Sequence, residues 1–223
     1  YHTSSTIRIG NDNSMNASGG SYVAYLFAGG ESTAATARSV EFDGAGQLDT
    51  NTSSDYDLGT GDFTLEYWFY HDVNATQLLV EKRTVASGQN SFCTYIDNGN
   101  YQHKFFAFGT DRIVTRYLPK KQWYHAAIVR SSGSTKMYIN GIQEGVTYAD
   151  TNDYNTETLR IGAQYDGTYD FDGKISNLRL VKGTAVYTSA FKPPTKPLES
   201  ITGTVLLACN NASITGTTTG TLT

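Results

Sequence analysis

Glu66 in “FTLEYW” and the pair Asp170 and Asp172 in “YDFDG” are the acids whose placement raises the question of glycosidic cleavage. That reaction needs two carboxylates flanking the scissile bond, about 5 to 9.5 Å apart according to stereochemical class. Acids at alternate positions of one strand would share a face and could supply such a pair. Glu66 stands alone in its run, and Asp170 with Asp172 is an i, i+2 pair at a turn, where carboxylates cap backbone N–H groups. No G-x-S-x-G elbow occurs. His2, His71, His103 and His125 are scattered without metal-ligand spacing. His125 is expected to satisfy backbone groups beside Trp123 inside the fold. The residues point away from catalysis.

They point instead to holding a ligand. The segments “YADTNDYNTET” and “QYDGTYDFD” combine Tyr148, Tyr154, Tyr165 and Tyr169 with Asp150, Asn152, Asp153, Asn155 and Asp166. A phenol offers an apolar face with a polar tip at small entropic cost, and Asn or Asp adds adaptable hydrogen bonds. A sugar is the complementary object, an apolar ring face edged by hydroxyls. Tyr148, Asp150, Asp153, Tyr154, Tyr165 and Tyr169 are therefore the candidate ligand-binding residues. The same residue types also populate ordinary exposed turns, and that reading stays open. Gln164, Asp166, Asp170 and Asp172 carry oxygens of the kind calcium takes, six to eight at a time. Service in β-turns is their other reading.

Such loops need a rigid body to carry them. The chain has 223 residues, of which 22 are Gly, 16 Tyr and only 4 Pro. Short runs rich in β-branched and aromatic residues recur between Gly, Asn, Asp and Pro: “SVEFDG”, “FTLEYWFY”, “QLLVEK”, “SFCTYI”, “HKFFAF”, “DRIVTRY”, “WYHAAIVR”, “TKMYINGIQEG”, “TLRIGA”, “KISNLRLVKG” and “GTVLLAC”. No helical period sustains itself. This is the pattern of an all-β, antiparallel two-sheet sandwich, a jelly roll. Asn140-Gly141 marks a hairpin, because both residues tolerate the positive φ of a type I′ turn. In the strand after Phe171, Ile175, Asn177, Arg179 and Val181 are expected on one face and Ser176, Leu178 and Leu180 on the other. Pro193, Pro194 and Pro197 cannot donate ladder bonds, so the chain leaves the sheet there and “TAVYTSAFKPP” wraps its outside.

Residues 1–33 are expected to be a β-hairpin segment and linker, either the end of a preceding module or an extension of the main domain. Residues 34–209 are the sandwich and 210–223 a C-terminal extension. A net charge of −4 disfavours nucleic acid as a partner. No run approaches the roughly 20 apolar residues of a membrane helix, so no membrane insertion is expected. Tyr1 opens on polar residues without a signal-peptide pattern, which fits a numbering that starts inside a longer chain. Cys93 and Cys209 lie in strand-like runs and read as buried thiols, with a bridge open to them in an oxidising compartment.

In order and at the right separations, “SVEFDGAGQLD”, “GDFTLEYWFY”, “QWYHAAIVRSSGSTKMYINGI” and “LRIGAQYDGTYDFDGKISNLRLVKG” resemble the laminin-G-like, or concanavalin A-like, lectin/glucanase superfamily over residues 37 to about 209. Trp123-x-His125, “MYINGI” and the F-x-G-x-I of Phe171 to Ile175 carry the resemblance jointly. The flanks “MNASGGSYVAYLFAGG” and “RLVKGTAVYTSAFKPPTKPLESITGTVLLACNN” are similar to modules of marine bacteriophage virion proteins. The resemblance implies a non-catalytic adhesion module of a tail or fibre protein, located in the virion or otherwise extracellular. Its partners would be a cell-surface polysaccharide and other virion subunits, with homo-oligomerisation open. A structural role that binds only protein, and then a polysaccharide-cleaving enzyme, are the alternatives. By resemblance to pentraxins, the 164–172 loop occupies an acidic calcium-binding position, with Gln89 and Asn90 facing it. The implied metal ligands are Asn90, Gln164, Asp166 and Asp170, for calcium as cofactor. Fewer carboxylates than the pentraxin pattern imply one weak ion or none.

Overall fold

A computed structural model of the chain describes residues 38–84 and 91–210, together with short strands at 2–3, 6–7 and 217–218. The chain divides into two compact units, Tyr1–Gly30 and Glu31–Thr223. In the first, β1 (His2–Thr3) pairs antiparallel with β2 (Thr6–Ile7). The rest of the hairpin segment and linker expected over residues 1–33 lies outside the described residues.

The second unit begins with β3 (Val40–Asp43), β4 (Leu48–Asp49), a 3-10 turn at Ser54–Tyr56, β5 (Phe63–His71) and β6 (Gln77–Glu81). There follow β7 (Phe92–Ile96), β8 (Gln102–Ala107), β9 (Thr110–Tyr117), β10 (Trp123–Ser131), β11 (Ser134–Ile139) and β12 (Ile142–Ala149). It ends with β13 (Arg160–Ile161), β14 (Asp172–Lys182), β15 (Thr204–Ala208) and β16 (Thr217–Thr218). The described residues form two antiparallel sheets. One has eight strands in the order β12-β11-β10-β5-β14-β15-β16, with β3 also on β14; the other has six, β4-β13-β6-β7-β8-β9. The larger sheet thus continues past residue 209 through β16.

Phe63, Leu65, Tyr67 and Phe69 of β5 face the six-stranded sheet and join Phe92, Phe105, Ile128, Met137 and Ile161 in one core. Thr64 and Glu66, which alternate with them on β5, are just as buried, because the outer face of this sheet is covered there too. The cover is residues 183–203, an irregular strap. Tyr187 and Phe191 stack at 3.6 Å and lie on Ala127, Val129 and Tyr138. The Phe191 N–H donates to the Gly141 carbonyl at 2.9 Å, and the strap rejoins the sheet where the Lys182 N–H donates to Gly203. The wrap expected of “TAVYTSAFKPP” is observed.

In β14 the expected division of faces is corrected. Ser176 pairs with Trp68 and Arg179 with Glu66, leaving Asn177 and Leu178 as a bulge. Asn177 adopts φ +50°, which resets the alternation. Ile175 therefore joins Leu178 and Leu180 in the core, and Ser176 turns outward with Arg179.

Two buried cations fasten the loop before β13. Lys82 Nζ donates to the carbonyls of Tyr56 and Thr156, both at 2.6 Å. The Arg130 guanidinium donates to the carbonyls of Asp150 and Asn152, both at 2.8 Å. Burial pushes Lys82 down to about 7.

Candidate functional site

Strand register writes the site. Across the six-stranded sheet, Asp49 pairs with Arg160, Arg160 with Glu81, Glu81 with Cys93, Cys93 with Phe106 and Phe106 with Asp111. Partners in a ladder share a face, so these side chains form one row running across the strands. Leu78, Tyr95 and Lys104 form a second row beside it. The opposite face of these strands carries Phe92, Phe105 and Ile113 into the core, so both rows point outward. Unlike the outer face of the larger sheet, this one has no strap over it among the described residues, and Tyr95, Lys104 and Phe106 remain partly exposed.

Arg83, just beyond β6, lies in the middle. It donates to Glu81 from Nε at 2.8 Å and from an Nη at 2.6 Å. Its guanidinium sits 5.0 Å from the ring centre of Phe106 and 6.0 Å from that of Tyr165. Two hollows share it as a wall. One, about 350 Å³, is bounded by Asp49, Glu81, Arg160 and Tyr165; the other, about 310 Å³, by Leu78, Tyr95, Phe106, Gln164 and Tyr169. Burial holds Glu81 above the ordinary carboxylate range, against the hydrogen bonds and charge of Arg83. Burial likewise raises Cys93, and burial with the bond to Asp111 raises the Tyr95 phenol, so both stay protonated at neutral pH. The surface offers flat rings, hydroxyl donors and carboxylate acceptors. Its acids are paired, Glu81 with Arg83, Asp49 with Arg160, and Asp97 and Asp111 with Lys104.

The residues expected to bind ligand separate into two groups. Tyr165 and Tyr169 border the hollows, with Gln164 between them and Arg83, whose Nη lies 3.5 Å from Gln164 Oε1. Asp150 and Tyr154 are corrected: both are fully buried and face no solvent. Asp150 Oδ2 accepts from Thr135 at 2.6 Å and from the Tyr154 hydroxyl at 2.8 Å, making an internal brace. Tyr148 packs on the core beneath the Arg112 guanidinium, while Asp153 is exposed on the same loop. Sequence reading missed Glu81, Arg83, Tyr95 and Phe106. The available signal was Glu81-x-Arg83 at a strand end, opposite charges two positions apart and so within reach of each other.

Of the implied calcium ligands, Asn90 lies outside the described residues. Asp166 already accepts from Thr168 Oγ1 at 2.6 Å and from Gln164 Nε2 at 3.1 Å, closing its own turn. The Thr168 hydrogen bond holds this carboxyl below its usual range. Among the described residues no three His, Cys, Asp or Glu gather in a metal-binding group.

The expectation for Glu66 and His125 changes. Glu66 accepts from Arg179 Nε at 2.9 Å and from the Tyr187 hydroxyl at 2.8 Å, and His125 Nε2 lies 3.2 Å away. His125 points outward from the sheet rather than into the sandwich, and the strap's Phe191 ring stands edge-on to it at 5.7 Å. Burial would raise Glu66; His125 and Arg179 outweigh that and hold it low. This acid is a fastening for the strap. Cys93 and Cys209 are both free and buried.

The fold is shared widely. The chain is similar to a provisionally named carbohydrate binding protein from Bacteroides ovatus ATCC 8483, with TM-score 0.60 and 17% identity over 83% of this chain and 57% of that one. A SAP-like pentraxin from Limulus polyphemus matches with TM-score 0.51 and 19% identity over 66% of this chain and 76% of that one. Domain 4 of the arabinanase AbnA from Geobacillus stearothermophilus, in complex with arabinotriose, matches with TM-score 0.50 and 15% identity over 66% and 72%. No curated protein matches by sequence. The family model described as the concanavalin A-like lectin/glucanases superfamily matches residues 42–186, well over half of the chain. With the two sheets and their register described above, this establishes that the chain belongs to the concanavalin A-like lectin/glucanase superfamily.

Proposed function

We propose that this chain is a non-catalytic carbohydrate-binding module whose ligand lies across the outer face of the six-stranded sheet. The observation that carries the reading is the open cross-strand row, with Phe106 and Tyr95 beside hydrogen-bonding carboxylates and Arg83 between two hollows. Ring faces stack against the C–H face of a sugar while the acids accept from its hydroxyls. The arabinotriose complex of the AbnA domain, a structure of the same fold, is in keeping with it. The locked state of Glu66, Glu81 and Asp49 supports the non-catalytic part, since each already accepts hydrogen bonds from arginine.

The setting we infer is a bacteriophage virion, as part of a tail or fibre protein that recognises host-surface polysaccharide alongside other virion subunits. Its support is the resemblance of the flanking segments. A glycan array followed by calorimetry tests the binding reading. Tyr95→Ala and Phe106→Ala should each weaken retention about tenfold or more, a loss of about 1.4 kcal/mol. Tyr117→Ala, exposed on β9, should leave it unchanged. Equal binding by all three variants, with folding intact, would remove the site from this face.

A second reading, assembly through protein contact, draws on the edge strand β12, where Ile142 and Val146 are 57% and 68% exposed. Concentration-dependent sedimentation abolished by Val146→Lys would favour it.

A further inference from the structure

Resting on the carbohydrate reading of the same face, we infer that its ligand is an uncharged glycan and that the site excludes sulfated and uronic acid polymers. Among the described residues, the cations Arg83, Arg160 and Lys104 of this face are each already paired with a carboxylate. Arg83 gives Nε and an Nη to Glu81. Arg160 gives Nε and an Nη to Asp49 at 2.6 and 3.1 Å, and its other Nη to the Gln164 carbonyl at 2.7 Å. Lys104 lies 3.1 Å from Asp111 and 3.5 Å from Asp97.

A sulfate or carboxylate arriving here would find the Nε–Nη forks of Arg83 and Arg160 already taken by carboxylates. Taking the Arg83 fork would mean displacing Glu81, which is only 1% exposed, so the displaced charge would stay buried without a partner. The balance of charge acts in the same sense. Three cations face four paired carboxylates, and Asp166 stands at the rim beside them, so the local field repels a polyanion. A neutral sugar meets none of this. Its hydroxyls donate to the partly exposed carboxylates of Asp49 and Asp111, which stay paired with Arg160 and Lys104, and its apolar face lies on Phe106 or Tyr165, to which the Arg83 plane adds a third flat surface.

Matched pairs test this on the intact chain: a neutral β-glucan against its sulfated derivative, and a neutral galactan against its sulfated counterpart, measured by calorimetry at low and at roughly half-molar salt. The neutral member should bind at least about tenfold tighter in a pair that binds, with little salt dependence. Asp97→Asn with Asp111→Asn, which together remove both carboxylates from Lys104 while leaving Tyr95 an amide oxygen to donate to, should narrow the gap between members by about threefold or more. Tighter binding of the sulfated member, weakened by salt, would overturn the charge assignment and leave the carbohydrate reading standing. Failure of both members in every pair, with Tyr95→Ala indistinguishable from the parent on an array, would overturn both.

Discussion

His103 is a residue whose ionisation the fold forbids. It is fully buried between the sheets, bonded to the Tyr67 hydroxyl at 2.8 Å, and burial presses it down to about 3. Unfolded, the same imidazole titrates near its ordinary value of roughly 6.5. Between those values the unfolded chain binds the extra proton, so stability is intact above about pH 6.5 and is lost as pH falls towards 3. His71 is lowered by burial as well and acts with the same sign. Denaturant melts should show about 2 kcal/mol lost from His103 alone between pH 6.5 and pH 5. His103→Gln should be less stable at pH 7 yet show a shallower decline. An unchanged slope in that variant would mean the histidine protonates without unfolding. Side-chain chemistry at this scale was the least legible part of the sequence. Asp150 and Tyr154 have the composition of a binding loop, and their burial follows from Arg130 and Thr135, which are 20 and 15 positions away. Nothing local announces that partnership.

At the scale of elements, the turns decide what could be read. β8–β9, β10–β11 and β11–β12 are joined by two-residue turns in which both residues have positive φ: Phe108-Gly109, Ser132-Gly133 and Asn140-Gly141. Asn-Gly declares itself, since both residues tolerate that conformation. Phe108 at φ +48° does not, because an aromatic residue takes it only when the hairpin on either side compels it. The bulge at Asn177 was invisible for the same reason: its demand comes from pairing with β5 and from Leu198, whose N–H donates to Asn177 Oδ1 at 2.7 Å. Strand alternation, by contrast, was enough to outline both sheets. Gly141 shows how firmly the strap depends on one of these turns. A Cβ built there would stand 1.8 Å from the Phe191 carbonyl oxygen, at a φ of +79°. Gly141→Ala should therefore cost more than about 3 kcal/mol and loosen the strap, read as a lowered melting temperature with faster proteolysis within residues 183–203. A near-native melt would show that strap and hairpin are energetically separate.

For the whole molecule, the two faces of the sandwich have been given opposite fates. The outer face of the larger sheet lies under Tyr187 and Phe191; that of the smaller sheet has no such cover among the described residues and holds the proposed site. The loop before β13, which runs up to the first hollow, is held from within by Lys82 and Arg130. A differential scan with excess calcium and then with chelator should give superimposable melting temperatures, and a rise with calcium would return the 164–172 loop to consideration as a metal site. Carbonyl oxygens converging on a positive centre are what a dissolved ion would ordinarily be recruited to satisfy. Here the positive centres are tethered to the backbone, so they cannot wash out by dilution. The shape of that loop should persist in waters too poor in minerals to load an ion-dependent lectin.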